Sequence, residues 1–369
     1  MVTMRRSFGS KRALLELHWE DDGGRRIIGR RMTEETGATS TSQAKKKLWT
    51  PKPFLLNFNH VATLGTPGIE GASNSKLSSP IDVKISYLFN ILLVSDANNT
   101  RTQVFDLRTK LYKQTIYTHS APWYMDIEVE YDEQGSEAII MTCGDYCLYK
   151  YDLATVLQPR KDNKRGGKHP FLWKTGKLKE EGNDRAQSLV IKYDSESEDG
   201  NLIYYCDSGH GKIKVLRAWD GVLLRVISQM PCVRNSLDSS TELFVKFVAP
   251  CGIDMRHDGQ NNEFVVSDMG ANMIYFIREI GDDWIVTKSL PKGLGDSENI
   301  QRFEYPTGLC IDKKSGNVII CDYLNGVMQI LDKNGNFIKT FGSLRKSLAL
   351  LSNNEFFYHT GVCINETEG

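Results

Sequence analysis

Nothing in the 369-residue sequence is apolar for long enough to cross a membrane as a helix. Runs such as Ile91-Leu92-Leu93-Val94 are strand-sized, far short of the ~18 residues a span needs. A net charge is also lacking. Forty-six Lys and Arg balance forty-six Asp and Glu, so any nucleic-acid or membrane contact would need a local patch. The eight cysteines stand singly. No C-x-x-C occurs, and Cys143/Cys147 have no second pair with which to complete a zinc site. Cys206 and Cys321 lie inside apolar runs, as expected of buried thiols in a reducing compartment, so a cytoplasmic location is expected. The start has no secretory h-region, and its acids (Glu16, Glu20, Asp21, Asp22) are unlike a mitochondrial presequence. The N-x-T sequons at Asn98 and Asn365 are accordingly expected to be silent.

Catalytic signatures are missing too. The seven histidines form no H-x-H or H-E-x-x-H, and there is no G-x-S-x-G, P-loop or kinase motif. No catalytic residue, metal or cofactor is expected. His119 and His359, near repeat openings, are read as turn residues, with a place at a channel mouth as the functional alternative.

What is present changes character near residue 54. Residues 1–53 hold twelve Lys/Arg and six Asp/Glu, with "TEETGATSTSQAKKK" near the middle, and read as a flexible basic leader. Residues 54–369 are β-like: short runs of Val, Ile, Tyr and Phe broken by Asn, Gly, Asp and Ser. The best helix candidate, "SLRKSLALLSNNEFF", is short.

One unit recurs through this region. An apolar strand opens near Pro or Gly, a polar turn follows, then three or four apolar residues ending in Asp, then another strand. The clearest copies are "SSPIDVKISYLFNILLVSDANNTRTQVFDL", "VAPCGIDMRHDGQNNEFVVSDMGANMIYFI" and "YPTGLCIDKKSGNVIICDYLNGVMQILD". The anchoring acids are Asp96, Asp145 (offset by one), Asp207, Asp268 and Asp322, spaced far enough apart for four short strands each. An apolar residue stands three ahead of most openings: Leu77, Phe247, Phe303 and Phe356. Each Asp is expected to cap its turn by accepting from backbone N–H groups, and the apolar residues before it to be buried on both sides.

These residues resemble NHL repeats, most closely in "LLVSDANNTRTQVFD" and "VIICDYLNGVMQILDKNGNFIKTFG". The resemblance covers about residues 55–369. It implies an all-β, NHL-type β-propeller with blades near 80–118, 119–158, 170–229, 245–290 and 303–343. A partial sixth blade, 356–369, would be closed by an outer strand at 55–64. "HTGVCINETEG" matches only the first third of a unit, so the sixth blade is expected to be incomplete, in a chain read as a fragment or truncated gene model.

The turns after the Asp anchors are expected to converge on one face. They carry Asn98, Arg101, Tyr146, His210, Asn272 and Tyr323, a mixed polar and aromatic set suited to a protein or peptide ligand. The resulting reading is a non-catalytic binding scaffold. An RNA-binding propeller is the first alternative, carried by Arg160, Lys161, Lys164, Arg165 and Lys168 in "QPRKDNKRGGKHP", which otherwise reads as a solvated loop. Neither DNA nor a membrane is an expected partner. A metal-dependent enzyme of the amidating-lyase or lactonase kind is the second alternative. The leader contains no cysteine and so holds no zinc RING.

Overall fold

The computed structural model describes residues 2–5, 14–19, 59–66, 69–158, 168–175, 185–194, 196–232, 244–257, 261–281, 283–290, 302–342 and 359–366. The chain is an all-β propeller. Among the described residues the helices are Leu153–Val156 and the 3₁₀ turn Ala97–Asn99, so no helix is long and apolar enough to cross a membrane.

Five blades of four antiparallel strands follow one another along the chain. Their inner strands are Pro80–Ser86, Pro122–Glu128, Ala186–Lys192, Pro250–His257 and Pro306–Ile311. The second strands, Ile91–Asp96, Ala138–Cys143, Leu202–Asp207, Asn262–Asp268 and Val318–Asp322, carry the apolar runs of the repeat. Leu93, Ile140, Val265, Val266, Ile319 and Ile320 are fully buried, as expected of strands covered on both faces by neighbouring blades. Leu77, Phe247 and Phe303, three residues ahead of their strands, are buried as well.

The anchor aspartates tie each blade to its own entry segment. Asp96 accepts from the Ser78 amide at 2.6 Å and from Arg101 Nε at 2.7 Å. Asp322 accepts from the Glu304 amide at 2.8 Å and from Gln329 Nε2 at 2.6 Å. Asp268 binds four amides, those of Val248 and Ala249 ahead of the inner strand and those of Gly270 and Ala271 in its own turn. The turn cap expected from the sequence is therefore present at Asp268, and the staple to the blade entry is an addition. Asp207 reaches Arg185 N at 3.3 Å and Lys214 Nζ at 2.7 Å. In the second blade the backbone replaces this staple: Gly144 N donates to Ala121 O at 2.8 Å, while Asp145 takes Tyr149 Oη at 2.7 Å.

A further four-stranded sheet combines both ends of the chain. Its order is His359–Cys363, Val2–Arg5, Leu14–Trp19, Asn59–Leu64, all antiparallel. Two expectations change here. The sheet has its two middle strands, and they come from residues 2–19 of the segment read as a tail. The signal was a period-two alternation, Leu15, Leu17 and Trp19 against Glu16 and His18, too short to stand out within a polar leader. The rest of that leader, and the helix candidate near 343–357, lie outside the described residues.

The inner strand of this terminal sheet packs between those of the fifth and first blades. The repeated T-G explains how. A Cβ on Gly308 would sit 2.1 Å from Thr360 O, and one on Gly361 would sit 2.6 Å from Ile81 O, so only glycine permits these backbones to approach.

Candidate functional site

Six inner strands converge on the channel, and one register position of all six lines a single cavity. Counting four residues on from each opening gives Lys84, Asp126, Val190, Asp254, Cys310 and Cys363. The cavity has a volume of about 820 Å³ and opens where the inner strands end, the face opposite the Asp-anchored turns. Tyr87, Tyr193, Lys192 and His257 stand at its rim.

The carboxylates of this ring also join neighbouring blades. Asp82 Oδ2, two residues before Lys84 on the same strand, accepts from Met125 N at 2.9 Å; Asp126 Oδ2 accepts from Ile191 N at 3.2 Å; Asp254 Oδ2 accepts from Ile311 N at 2.8 Å. The remaining oxygens of Asp126 and Asp254 meet cations. Lys84 Nζ stands 3.9 Å from Asp126 Oδ1, and Lys313 Nζ is 2.7 Å from Asp254 Oδ1. Burial pushes Asp82 up to about 6 and raises Asp126, in each case against the pull of Lys84. Burial would lower Lys84, but the carboxylates of Asp82, Asp126 and Asp254 outweigh it and hold the ammonium charged. Burial likewise pushes the Cys363 thiol up to about 12 and Cys310 well above its ordinary value, so both stay protonated and inert. The site is thus a part-dry ring in which one lysine and two aspartates share a register with an apolar residue and two thiols. Among the described residues, no three of His, Cys, Asp and Glu converge as a metal site.

The Asp-anchored face is different from expectation in its details. Arg101 is buried, its guanidinium bound to Asp96 and to the carbonyls of Ala72, Ser73 and Lys76. Tyr323 is buried against Tyr305, with ring centroids 5.7 Å apart. Both side chains are turned inward, Arg101 onto the segment ahead of its blade and Tyr323 onto Tyr305. Asn272 is exposed but its Oδ1 accepts from Tyr305 N at 2.7 Å, and His210 Nδ1 lies 2.9 Å from Asp207. Asn98 donates to Ser78 Oγ at 3.3 Å. Tyr146 is the exposed aromatic of this set, held at positive φ and edge-on to Trp123 at 6.2 Å.

Of the basic loop, Arg160, Lys161, Lys164 and Arg165 lie outside the described residues, and Lys168 Nζ donates to His119 O at 3.1 Å. His119 does not face the channel. Its ring stacks on Tyr149 at 5.7 Å and meets Phe171 edge-on at 5.0 Å, beside the outer strand of the second blade. Burial, then Lys168 and Lys174, lower its pKa.

Lys84, Asp126 and Asp254 were missed in the sequence. Aligning the strands on their openings ("PIDVK", "PWYMD", "PCGID") puts all three at one position, and that shared position was the available signal.

No protein-family model matches the chain, and no curated protein matches it. Solved structures do. The calcium-binding protein regucalcin from Agrobacterium tumefaciens str. C58 is 12% identical, with a TM-score of 0.43 over 73% of this chain and 75% of that one. A functionally unknown protein from Desulfotomaculum acetoxidans DSM 771 is 12% identical, with a TM-score of 0.45 over 81% and 76%. BBS1N, solved in complex with ARL6DN, is 13% identical, with a TM-score of 0.43 over 72% and 69%. These are likenesses of fold alone.

Proposed function

We propose that the chain is a non-catalytic binding propeller of the NHL type, in which the sheet shared by the chain's two ends serves as the sixth blade. Its ligand is a polypeptide segment seated at the mouth of the channel. The observation that carries this reading is the cavity of about 820 Å³ ringed by Lys84, Asp126 and Asp254 at one shared register position. A mix of cations and carboxylates with exposed aromatic edges, such as half-exposed Tyr193, matches a peptide's own mix of charged side chains, N–H and C=O groups. Burial keeps Cys310 and Cys363 as thiols, which favours a binding role over nucleophilic chemistry.

The test is selection of displayed peptides on the full chain, followed by titration of the selected peptides against Lys84→Met and Tyr146→Ala. Loss of about tenfold or more in affinity with Lys84→Met alone supports the channel mouth. Loss with Tyr146→Ala alone would move the site to the Asp-anchored face. Metal-dependent turnover of a lactone by the purified protein would overturn the non-catalytic reading.

A further inference from the structure

A second cavity, of about 570 Å³, lies on the same face between the fourth and fifth blades, and its lining is strongly basic. Arg278 comes from the third strand of the fourth blade and Lys288 from its fourth strand. Lys314 and Lys333 come from two turns of the fifth blade. In a chain of zero net charge this is a marked local surplus.

The turns that carry the lysines are held in place by other groups. Arg256 acts as a strut. Its Nη1 donates to Gly316 O at 2.7 Å and its Nη2 to Lys333 O at 2.6 Å, so both lysine-bearing turns are fastened to the fourth blade. The carboxylate lining this cavity, Glu263, is occupied by the same guanidinium, with Nε at 2.7 Å. Lys288 Nζ donates to Asn334 O at 2.5 Å. The nearby Asp332 is turned into its own loop, accepting from the amides of Asn334 and Asn336 at 2.8 Å.

Arg278, Lys314 and Lys333 have no ion pair among the described residues, and Arg278 Nε is shielded from solvent without a hydrogen-bond acceptor. Shielding an unpaired guanidinium donor among other cations is costly, and an anion in the cavity would remove that cost. The guanidinium fork matches the oxygens of a phosphate, and the flanking ammonium groups suit further charge. We infer that this cavity binds a small, multiply charged phosphate compound. The volume fits a small molecule, and the anchored turns make the site largely pre-formed. The inference goes beyond the channel reading and uses different variants, so each fails separately.

The experiment is calorimetric titration of the full chain with pyrophosphate at low ionic strength, alongside Arg278→Gln, Lys333→Gln and a control, Lys113→Gln, at a distant exposed lysine. Saturable binding that weakens about tenfold in each of the first two variants, with Lys113→Gln and the melting temperatures unchanged, supports the site. Absence of saturable binding overturns it, as does equal weakening by Lys113→Gln, which would mean diffuse charge attraction. A single-stranded RNA oligomer is the competing ligand. If it binds more tightly than pyrophosphate, through Arg278 and with a steep salt dependence, the small-molecule assignment is overturned in favour of nucleic acid.

Discussion

Thr360 Oγ1 donates a 2.7 Å hydrogen bond to the carbonyl of Ile81, 279 positions away in the sequence. Beside it, Gly361 brings its backbone against Ile81 and Asp82 closely enough that a Cβ would lie 2.6 Å and 2.5 Å from their oxygens. The first blade and the terminal sheet are joined at this contact. Gly361→Ala is expected to cost about 1–3 kcal/mol through overpacking, and Thr360→Val about 1 kcal/mol through one lost hydrogen bond. Urea denaturation of the full chain measures both. Unchanged midpoints would mean that the ring is not closed at this contact.

Asp82 supplies a pH dependence. Its folded pKa, about 6, lies above the ordinary carboxyl value of ~4, so the folded state holds the proton more tightly than the unfolded state. The resulting stability is full below ~pH 4 and is lost as pH rises through 6, a change on the order of 2–3 kcal/mol. Asp322, also raised by burial to about 6, acts in the same window. Asp82→Asn is expected to flatten the stability profile between pH 4 and 6, and denaturation series at several pH values would show it. Asp207 and Glu279 work in the opposite sense. Burial would raise them, but hydrogen bonds from Lys214 and His210, and from Lys192, Tyr204 and Asn262, hold them low. Their contribution is therefore lost only as pH falls below ~4.

Glu279 gathers Lys192 at 2.7 Å, Tyr204 Oη at 2.7 Å and Arg225 at 3.2 Å, linking strands of the third and fourth blades. Glu279→Gln leaves two cations facing a neutral group, at an expected cost of about 2–4 kcal/mol. A shift in the denaturation midpoint at unchanged m-value is the expected signature.

Lys150 and Glu128 form a pair 2.7 Å apart with both side chains almost wholly buried, and Lys150 Nζ also donates to Ala218 O at 3.0 Å. Lys150→Met alone is expected to cost about 3–5 kcal/mol, because Glu128 stays buried without its cation. The double variant Lys150→Met, Glu128→Gln is expected to recover part of this loss. A double-mutant cycle gives the coupling, and strict additivity would show that the pair does not act as a unit.

Cysteine reactivity gives an inexpensive check of the packing. Seven thiols are buried, and Cys232 is part-exposed. With a disulfide reagent, one fast equivalent at Cys232 is expected, with the rest labelled only on unfolding. Fast labelling of Cys310 or Cys363 would mean that the channel opens to solvent more widely than its packing allows.

Much of the fold was legible because the repeat is written in local chemistry. The apolar runs ending in Asp mark strands buried on both faces, as at Ile319, Ile320 and Asp322, and the T-G pairs mark where inner strands meet. What such a pattern states is each blade's own hydrogen bonding and hydrophobic burial, interactions that span tens of residues at most. Partners across the chain are not written there. The pairing of Val2–Arg5 with His359–Cys363 depends on ring geometry bringing the two ends together, and five alternating residues in a polar leader do not announce it. The same holds for the sites. Arg101 and Tyr323 have the chemistry of ligand contacts, yet tertiary packing turned both inward, Arg101 onto the segment ahead of its blade and Tyr323 onto Tyr305. Lys84, Asp126 and Asp254, 42 or more positions apart, became one ring because six separate inner strands share a register around the channel. By itself, then, the sequence determined the repeating unit and its buried strands, while tertiary structure decided which charges face one another, because closure of the ring sets distances that no local pattern encodes.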